Sequence, residues 1–307
     1  MATVADKRPA TIMALIRQRR LARDGKYEVR LFHPVHETWR TITIDDRLPV
    51  DAVGQLRNVR FTAAGEIWPA LIEKALAVLF GGYQNLAGGL PYTALKSLTG
   101  ARGDRMLFLT RTVPADAATG VDTASAGWVC WTPVFSEDAD GVPQGRNIEE
   151  CAWPDTGQRG SKARSQADVT QLLRRLHRSG SMLCCSTFGQ PTDSVTASLT
   201  GMVSGHAYSL LRVETQVGRE GLRLFELRNP HGAASVEWNG AWSDGDGAWE
   251  AHPEVARKLK PARVDDGTFW MGERDFATEF RSVSISLSTA CARRRPKDRW
   301  MPRATPP

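Results

Sequence analysis

Between Glu66 and Phe80 the chain is apolar around almost the whole circumference of a helix. Ile67, Leu71, Ala75 and Val78 recur at helical spacing, with Trp68, Ile72, Leu76 and Leu79 beside them. A helix of this kind has to be enclosed, so the fold must be large enough to surround it. The 307 residues allow two modest cores or one large one. Pro69 suits the first turn of this helix, and Gly81-Gly82 stop it. Pro91–Leu98 reads as a shorter helix closed by Gly100. Gln166–Arg178 reads as a third, with Val169, Leu172, Leu173 and Leu176 inward and Gly180 as its stop.

Strand patterns flank these helices. Tyr27–Phe32 and Trp39–Ile44 alternate polar and apolar residues around a hairpin loop, His33–Glu37, and the second run ends at Asp45–Pro49. Later come Met182–Thr187, Ala207–Glu214, Leu222–Leu227 and Arg281–Leu287, with Trp238, Trp242, Trp249 and Trp270 assigned to the loops between. Helices early and strands late predict an α+β class. From Ala101 to Arg164 the chain is rich in Gly, Asp, Ala and Ser. Met106–Val113 and Gly127–Phe135 offer strands there, and the remainder, including Asp138–Gly145 and Asp155–Lys162, reads as an insertion or long connector.

Composition narrows the setting. No apolar run approaches the roughly 20 residues that a membrane span needs. Met1–Arg23 mixes charge into a short apolar patch, Ile12–Ile16, and lacks the form of a secretory signal, so a cytoplasmic location is expected. Cys130, Cys151, Cys184, Cys185 and Cys291 are odd in number and irregular in spacing, which argues against a disulfide framework. No CxxC pair suggests a cysteine-held zinc. Much of the net charge of +6 sits in the tail, at Arg293, Arg294, Arg295, Lys297, Arg299 and Arg303. Without interleaved aromatics that charge reads as a solvated, disordered terminus, not as a specific nucleic-acid site.

Two short segments carry chemistry. In Gly205-His206-Ala207-Tyr208-Ser209 a histidine with small neighbours opens a strand, and histidine is the usual general base for a thiol or hydroxyl. Arg228-Asn229-Pro230-His231-Gly232 follows the next strand. If those strands pair, Asn229 comes beside His206 and its carbonyl can fix the ring's tautomer. Alone, His206 is more often a surface or structural histidine, and Asn-Pro is simply a turn.

These segments join others in an order that resembles the calpain protease core. The run Val236-Glu237-Trp238-Asn239-Gly240-Ala241-Trp242-Ser243-Asp244 and the segment Asp265–Met271 follow the histidine and asparagine. Upstream lie Ile44–Pro49, Gly65–Ala75 and Tyr83–Gly89. The resemblance covers roughly residues 24–100 and 166–288. It implies a papain-like cysteine proteinase fold with a truncated N-terminal lobe (24–100), a connector or insertion (101–165) and an antiparallel-β C-terminal lobe (166–288). Residues 1–23 would be an N-terminal extension and 289–307 a basic tail.

By that resemblance the activity is calcium-dependent peptide-bond cleavage of protein or peptide substrates, with His206 as base and Asn229 as its orienter. Calcium would be held by Glu237, Asp244 and Asp266 with the carbonyl of Val264. Thr268 stands where the family more often has an acid. Glu66 matches a ligand position of the other lobe, whose partner loop would lie in the missing segment. His231 replaces a tryptophan that shields the histidine–asparagine bond.

The family's nucleophile belongs to a Gly-Asp-Cys-Trp segment that should precede Ile44, and no cysteine does. Cys130-Trp131 echoes the pair but lies out of order. Two readings follow: a peptidase sequence that is incomplete and inactive as these residues stand, or a non-catalytic calpain-like binding or regulatory protein. Neither fixes an oligomeric state.

Overall fold

The computed structural model describes residues 1–18, 20–57, 59, 65–86, 88–102, 106–112, 127–189, 199–230, 237–264 and 266–288. The basic tail, Cys291, His231 and residues 113–126 of the connector lie outside them.

Two short helices, α1 (Ala2–Lys7) and α2 (Pro9–Leu15), precede an antiparallel hairpin, β1 (Lys26–His33) and β2 (Thr38–Asp45). Its register runs without a break from Lys26↔Asp45 to His33↔Thr38. Then come α3 (Trp68–Leu79), a 3-10 turn (Tyr83–Leu86) and α4 (Pro91–Thr99). The apolar helix of the sequence is α3, which buries Leu71, Ile72, Ala75 and Leu76 but leaves Val78, assigned to the same face, 56% exposed, so its enclosure is incomplete. Gly100 ends α4 at φ 66°. A Cβ there would also stand 2.5 Å from the Trp39 ring of β2, so both the left-handed backbone and the close approach require glycine.

One eight-stranded sheet organises the rest. Its order is β5-β4-β3-β10-β6-β7-β8-β9, built from β3 (Met106–Arg111), β4 (Trp128–Glu137), β5 (Pro143–Glu150), β6 (Met182–Thr187), β7 (Ala207–Val217), β8 (Leu222–Arg228), β9 (Thr268–Gly272) and β10 (Phe280–Ser286). All its pairings are antiparallel. The pleat sends alternate residues to opposite faces. Met106, Phe108 and Met182 enter a core with Val4, Ile12, Val29, the α3 residues and Tyr92. Leu107, Leu109, Leu183 and Cys185 enter the other core, with Leu172, Leu173 and Leu176 of α5 (Gln166–Arg178) and Phe276 of α8 (Glu273–Glu279), which follows α6 (Ala248–Ala251, carrying Trp249 in a helix and not in a loop) and α7 (Pro253–Leu259). Phe276 stacks on Phe225 with ring centroids 4.1 Å apart. Burial of each large side chain stabilises the fold by roughly 1.5–3 kcal/mol.

In β10 the two faces differ in size. Val283 and Ile285 fill the α5 core, while Ser282, Ser284 and Ser286 are equally buried on the other face. There α4 packs against the strand, and the Thr99 and Ser286 hydroxyls lie 3.4 Å apart. Small residues let the helix lie close to the sheet.

The connector is more structured than its composition suggests, because β3, β4 and β5 extend the sheet by three strands. The loop assignment at Asp138–Gly145 overlaps the start of β5, which lacks alternation and is held by its pairing with β4. Trp270 lies on β9, paired with Glu226, and not in a loop. Residues 2–15 fold into the core through Val4, Ile12 and Leu15.

Gly100→Ala should lower unfolding free energy by about 1–2 kcal/mol from the left-handed backbone alone, and by more if Trp39 has to move. Urea denaturation followed by tryptophan fluorescence measures it, and a change below a few tenths of a kcal/mol would contradict the packing.

Candidate active site

Ser209 of β7 pairs with Arg228 of β8, so the residue before β7 and the residue after β8 meet at one end of the sheet. There His206 Nε2 lies 3.1 Å from Asn229 Oδ1. The amide oxygen only accepts, so Nε2 carries the proton and the neutral ring's basic lone pair falls on Nδ1.

Neighbouring groups hold this pair in place. The His206 amide donates to Thr187 Oγ1 at 2.9 Å, and its carbonyl accepts from the Thr187 amide at 3.0 Å. Thr187 Oγ1 donates onward to the Val203 carbonyl. The Asn229 amide donates to the Gly267 carbonyl at 2.7 Å, and Asn229 is 1% exposed. Tyr208 presents its edge to the imidazole with centroids 5.0 Å apart and packs against Phe269 and Phe280. Burial pushes the Tyr208 phenol up to about 12. Tyr208 stands within the histidine motif but its packing is not legible there, and Thr187 is hidden by its distance of 19 residues from His206.

Beside this end of the sheet is a cleft of about 860 Å³. Its walls include Thr3, Gly88, Gly89, the β4–β5 turn and Ala207–Ser209. Cys184 faces it from β6, opposite Ser209. His206 and Tyr208 alternate with Ala207 and Ser209, so the pleat directs Cys184 to the face away from the imidazole. Thr3 Oγ1 donates to Ser209 Oγ at 2.8 Å and lies 3.1 Å from Cys184 Sγ. Burial raises the Cys184 thiol above its ordinary pKa and raises Cys185 well above it. Cys130 is fully buried, with its sulfur 3.4 Å from that of Cys151. Cys184 faces the start of α1 at Thr3, with the Met1 ammonium near, but desolvation outweighs both and keeps the thiol protonated.

The sequence matches the model of the calpain family of cysteine proteases over residues 1–287. The chain belongs to the calpain family. It is 30% identical over 263 residues to the calpain-type cysteine protease DEK1 of Arabidopsis thaliana, covering 85% of this chain and 10% of that protein. It is 30% identical to Calpain-9 of Rattus norvegicus over 81% of this chain and 28% of the relative. With Calpain clp-1 of Caenorhabditis elegans it shares 28% identity over 80% of this chain and 25% of the relative. The chain thus spans between a tenth and little more than a quarter of these calpains. Its mixed α+β architecture, with a curled antiparallel sheet, is consistent with the papain-like fold of a calpain protease core. Among the described residues no helix is long and apolar enough to cross a membrane.

The residues that the calpain resemblance assigns to calcium are only partly gathered. Glu237 and Asp244 line one shallow concavity of about 660 Å³ with Ser243 and Asp246. Tryptophans scaffold that loop. Trp238 Nε1 donates to the Ala241 carbonyl at 2.9 Å, and Trp249 Nε1 to the Ser243 carbonyl at 2.8 Å. Gly201 crosses so near that a Cβ would stand 1.8 Å from the Glu237 carbonyl. Val264 and Asp266 lie outside this concavity. The Val264 carbonyl accepts from the Asp266 amide at 2.7 Å, and Asp266 Oδ1 accepts from the Thr268 amide at 2.8 Å. Among the described residues the three carboxylates do not close into one ligand group. The donor set suits a hard cation at Glu237 and Asp244, while the other two donors are engaged within their own turn.

Replacing Asn229 with alanine should remove the preference for the Nε2–H tautomer of His206. Nitrogen-15 chemical shifts of the ring above its pKa report this, and unchanged shifts would contradict the geometry. The tyrosines give a second expectation. Burial also pushes Tyr92 up to about 12, from the 10.0 of an exposed phenol. Folded pKa values raised above the unfolded value favour the native state fully below about pH 10. That contribution declines as pH rises toward about 12, because the unfolded state loses its protons first. Urea midpoints should therefore fall across that window, and less so in Tyr208→Phe if the variant folds normally.

Proposed function

We propose that these residues supply the base and its orienter for calpain-type cysteine endopeptidase chemistry on protein or peptide substrates, and that residues 1–307 alone do not hydrolyse peptides. The 3.1 Å contact of His206 with Asn229 at the end of the β7–β8 pair carries the first part. The raised thiol pKa values and the placement of Cys184 away from the imidazole support the second. A complete site needs a thiol presented to Nδ1 of His206. The ring would accept its proton, and the thiolate would attack the scissile carbonyl. The imidazolium would then return that proton to the departing amine, leaving an acyl thioester that water, deprotonated by the same nitrogen, cleaves. Reduced thiols and this chemistry fit a cytoplasmic setting.

Calcium belongs to the same reading. Glu237 and Asp244 would be its principal ligands, with Val264 and Asp266 joining only if their turn opens. Two carboxylates in a shallow, open site suit weak binding, on the order of 10⁻⁴–10⁻³ M.

Purified residues 1–307 should leave casein intact with calcium and a reducing agent present. Thiol-dependent cleavage that His206→Ala abolishes would overturn the inactive reading. Millimolar calcium should raise the melting temperature of the wild type and leave that of Glu237→Gln unmoved. An equal rise in both proteins would place calcium elsewhere.

A further inference from the structure

His33 ends β1 and His36 lies in the hairpin loop that follows, and the end of β4 brings Glu137 against them from the other sheet. His36 Nε2 lies 2.7 Å from Glu137 Oε1 and His33 Nε2 lies 3.5 Å from it. One ligand atom from each residue falls within 4.8 Å of the others, an arrangement no other group of three or more His, Cys, Asp or Glu reaches among the described residues. We propose that His33, His36 and Glu137 form a binding site for a zinc-like divalent transition ion, which clamps the β1–β2 hairpin to the end of β4.

The ligand chemistry selects the ion. Two imidazoles and one carboxylate suit zinc and its neighbours, whereas calcium and magnesium require an all-oxygen shell. With bonds of about 2.0–2.2 Å, tetrahedral ligands stand about 3.4 Å apart. The His33–Glu137 separation of 3.5 Å already meets that spacing. The shorter His36–Glu137 contact is a hydrogen bond, which opens to it when the metal replaces the ring proton.

Burial grades the site from floor to mouth. The His33 side chain is 2% exposed, Glu137 28% and His36 47%, so one ligand is fixed in the protein while the opening admits an ion and a fourth, water-derived ligand. The rings of His33 and His36 lie 4.5 Å apart, tilted by 35°. The His36 amide donates to His33 Nδ1 at 3.3 Å. Moving the ring proton onto Nδ1 sacrifices that long hydrogen bond, which the metal–nitrogen bond replaces.

Placement gives the site a consequence. Asp138, the residue after Glu137, begins the turn that walls the cleft through Val142 and Gln144. A metal at Glu137 would therefore tie one wall of the cleft to the hairpin.

The test uses tag-free protein, stripped with chelator and dialysed, titrated with zinc alone by calorimetry and with cobalt(II) alone by visible absorption. One equivalent should bind, with the intense d–d bands of a tetrahedral cobalt site. His36→Ala and Glu137→Gln replace partly exposed residues and should keep the native circular dichroism. Each should weaken binding at least about 100-fold, beyond the loss typical of disturbing an outer-shell partner. No binding by the wild type, or wild-type affinity in both variants, would overturn the site. So would loss of binding in Cys130→Ser, which would assign the metal to the cysteines. Peptidase activity enters none of these readouts.

Discussion

Ser209 faces Arg228 across the β7–β8 ladder, and the site depends on that pairing. It sets His206, just before one strand, beside Asn229, just after the other. A slip of one residue would turn each side chain of the moved strand to the opposite face and separate the pair. Buried alternation fixes the register. Tyr208 and Leu210 on β7, and Phe225 and Leu227 on β8, fill the same core as Leu173 of α5 and Phe276 of α8. The position of the imidazole therefore rests on apolar packing, and its tautomer on one amide oxygen.

Both faces of the large sheet are covered, and the alternating sizes along β10 show how. Aliphatic side chains meet α5 on one face, while serines bring α4 close on the other. In sequence this run reads plainly as a strand, and so do β6, β7 and β8, because each is a run of six or more residues rich in apolar and β-favouring side chains. Helices α3, α4 and α5 are legible from their spacing and from the proline or glycine at their ends. β5 is not, since its residues state no preference that its neighbour β4 does not impose.

The candidate site divides in the same way. His206 and Asn229 are legible because each stands in a short motif at a strand end. Thr187 and the edge contact of Tyr208 are three-dimensional facts. For the calcium donors, sequence order suggests a single set, whereas the fold gathers Glu237 and Asp244 and turns Val264 and Asp266 toward each other. The His33–His36–Glu137 group escapes the sequence because its third member comes from a strand 101 residues beyond His36 (137 minus 36), brought near only by the packing of hairpin and sheet.

The weakness that hides β5 has a use at its position. It is one of the two outermost strands of the sheet, a position where unpaired backbone groups can recruit another extended chain. Pro143 offers no amide, Gly145 gives its carbonyl to the Tyr92 hydroxyl, and Glu150 is taken up by Arg159 and Ser161. A strand with strong β preference there would invite stacking between molecules. This one joins the sheet only when β4 is beside it, so the sheet can end without recruiting another copy.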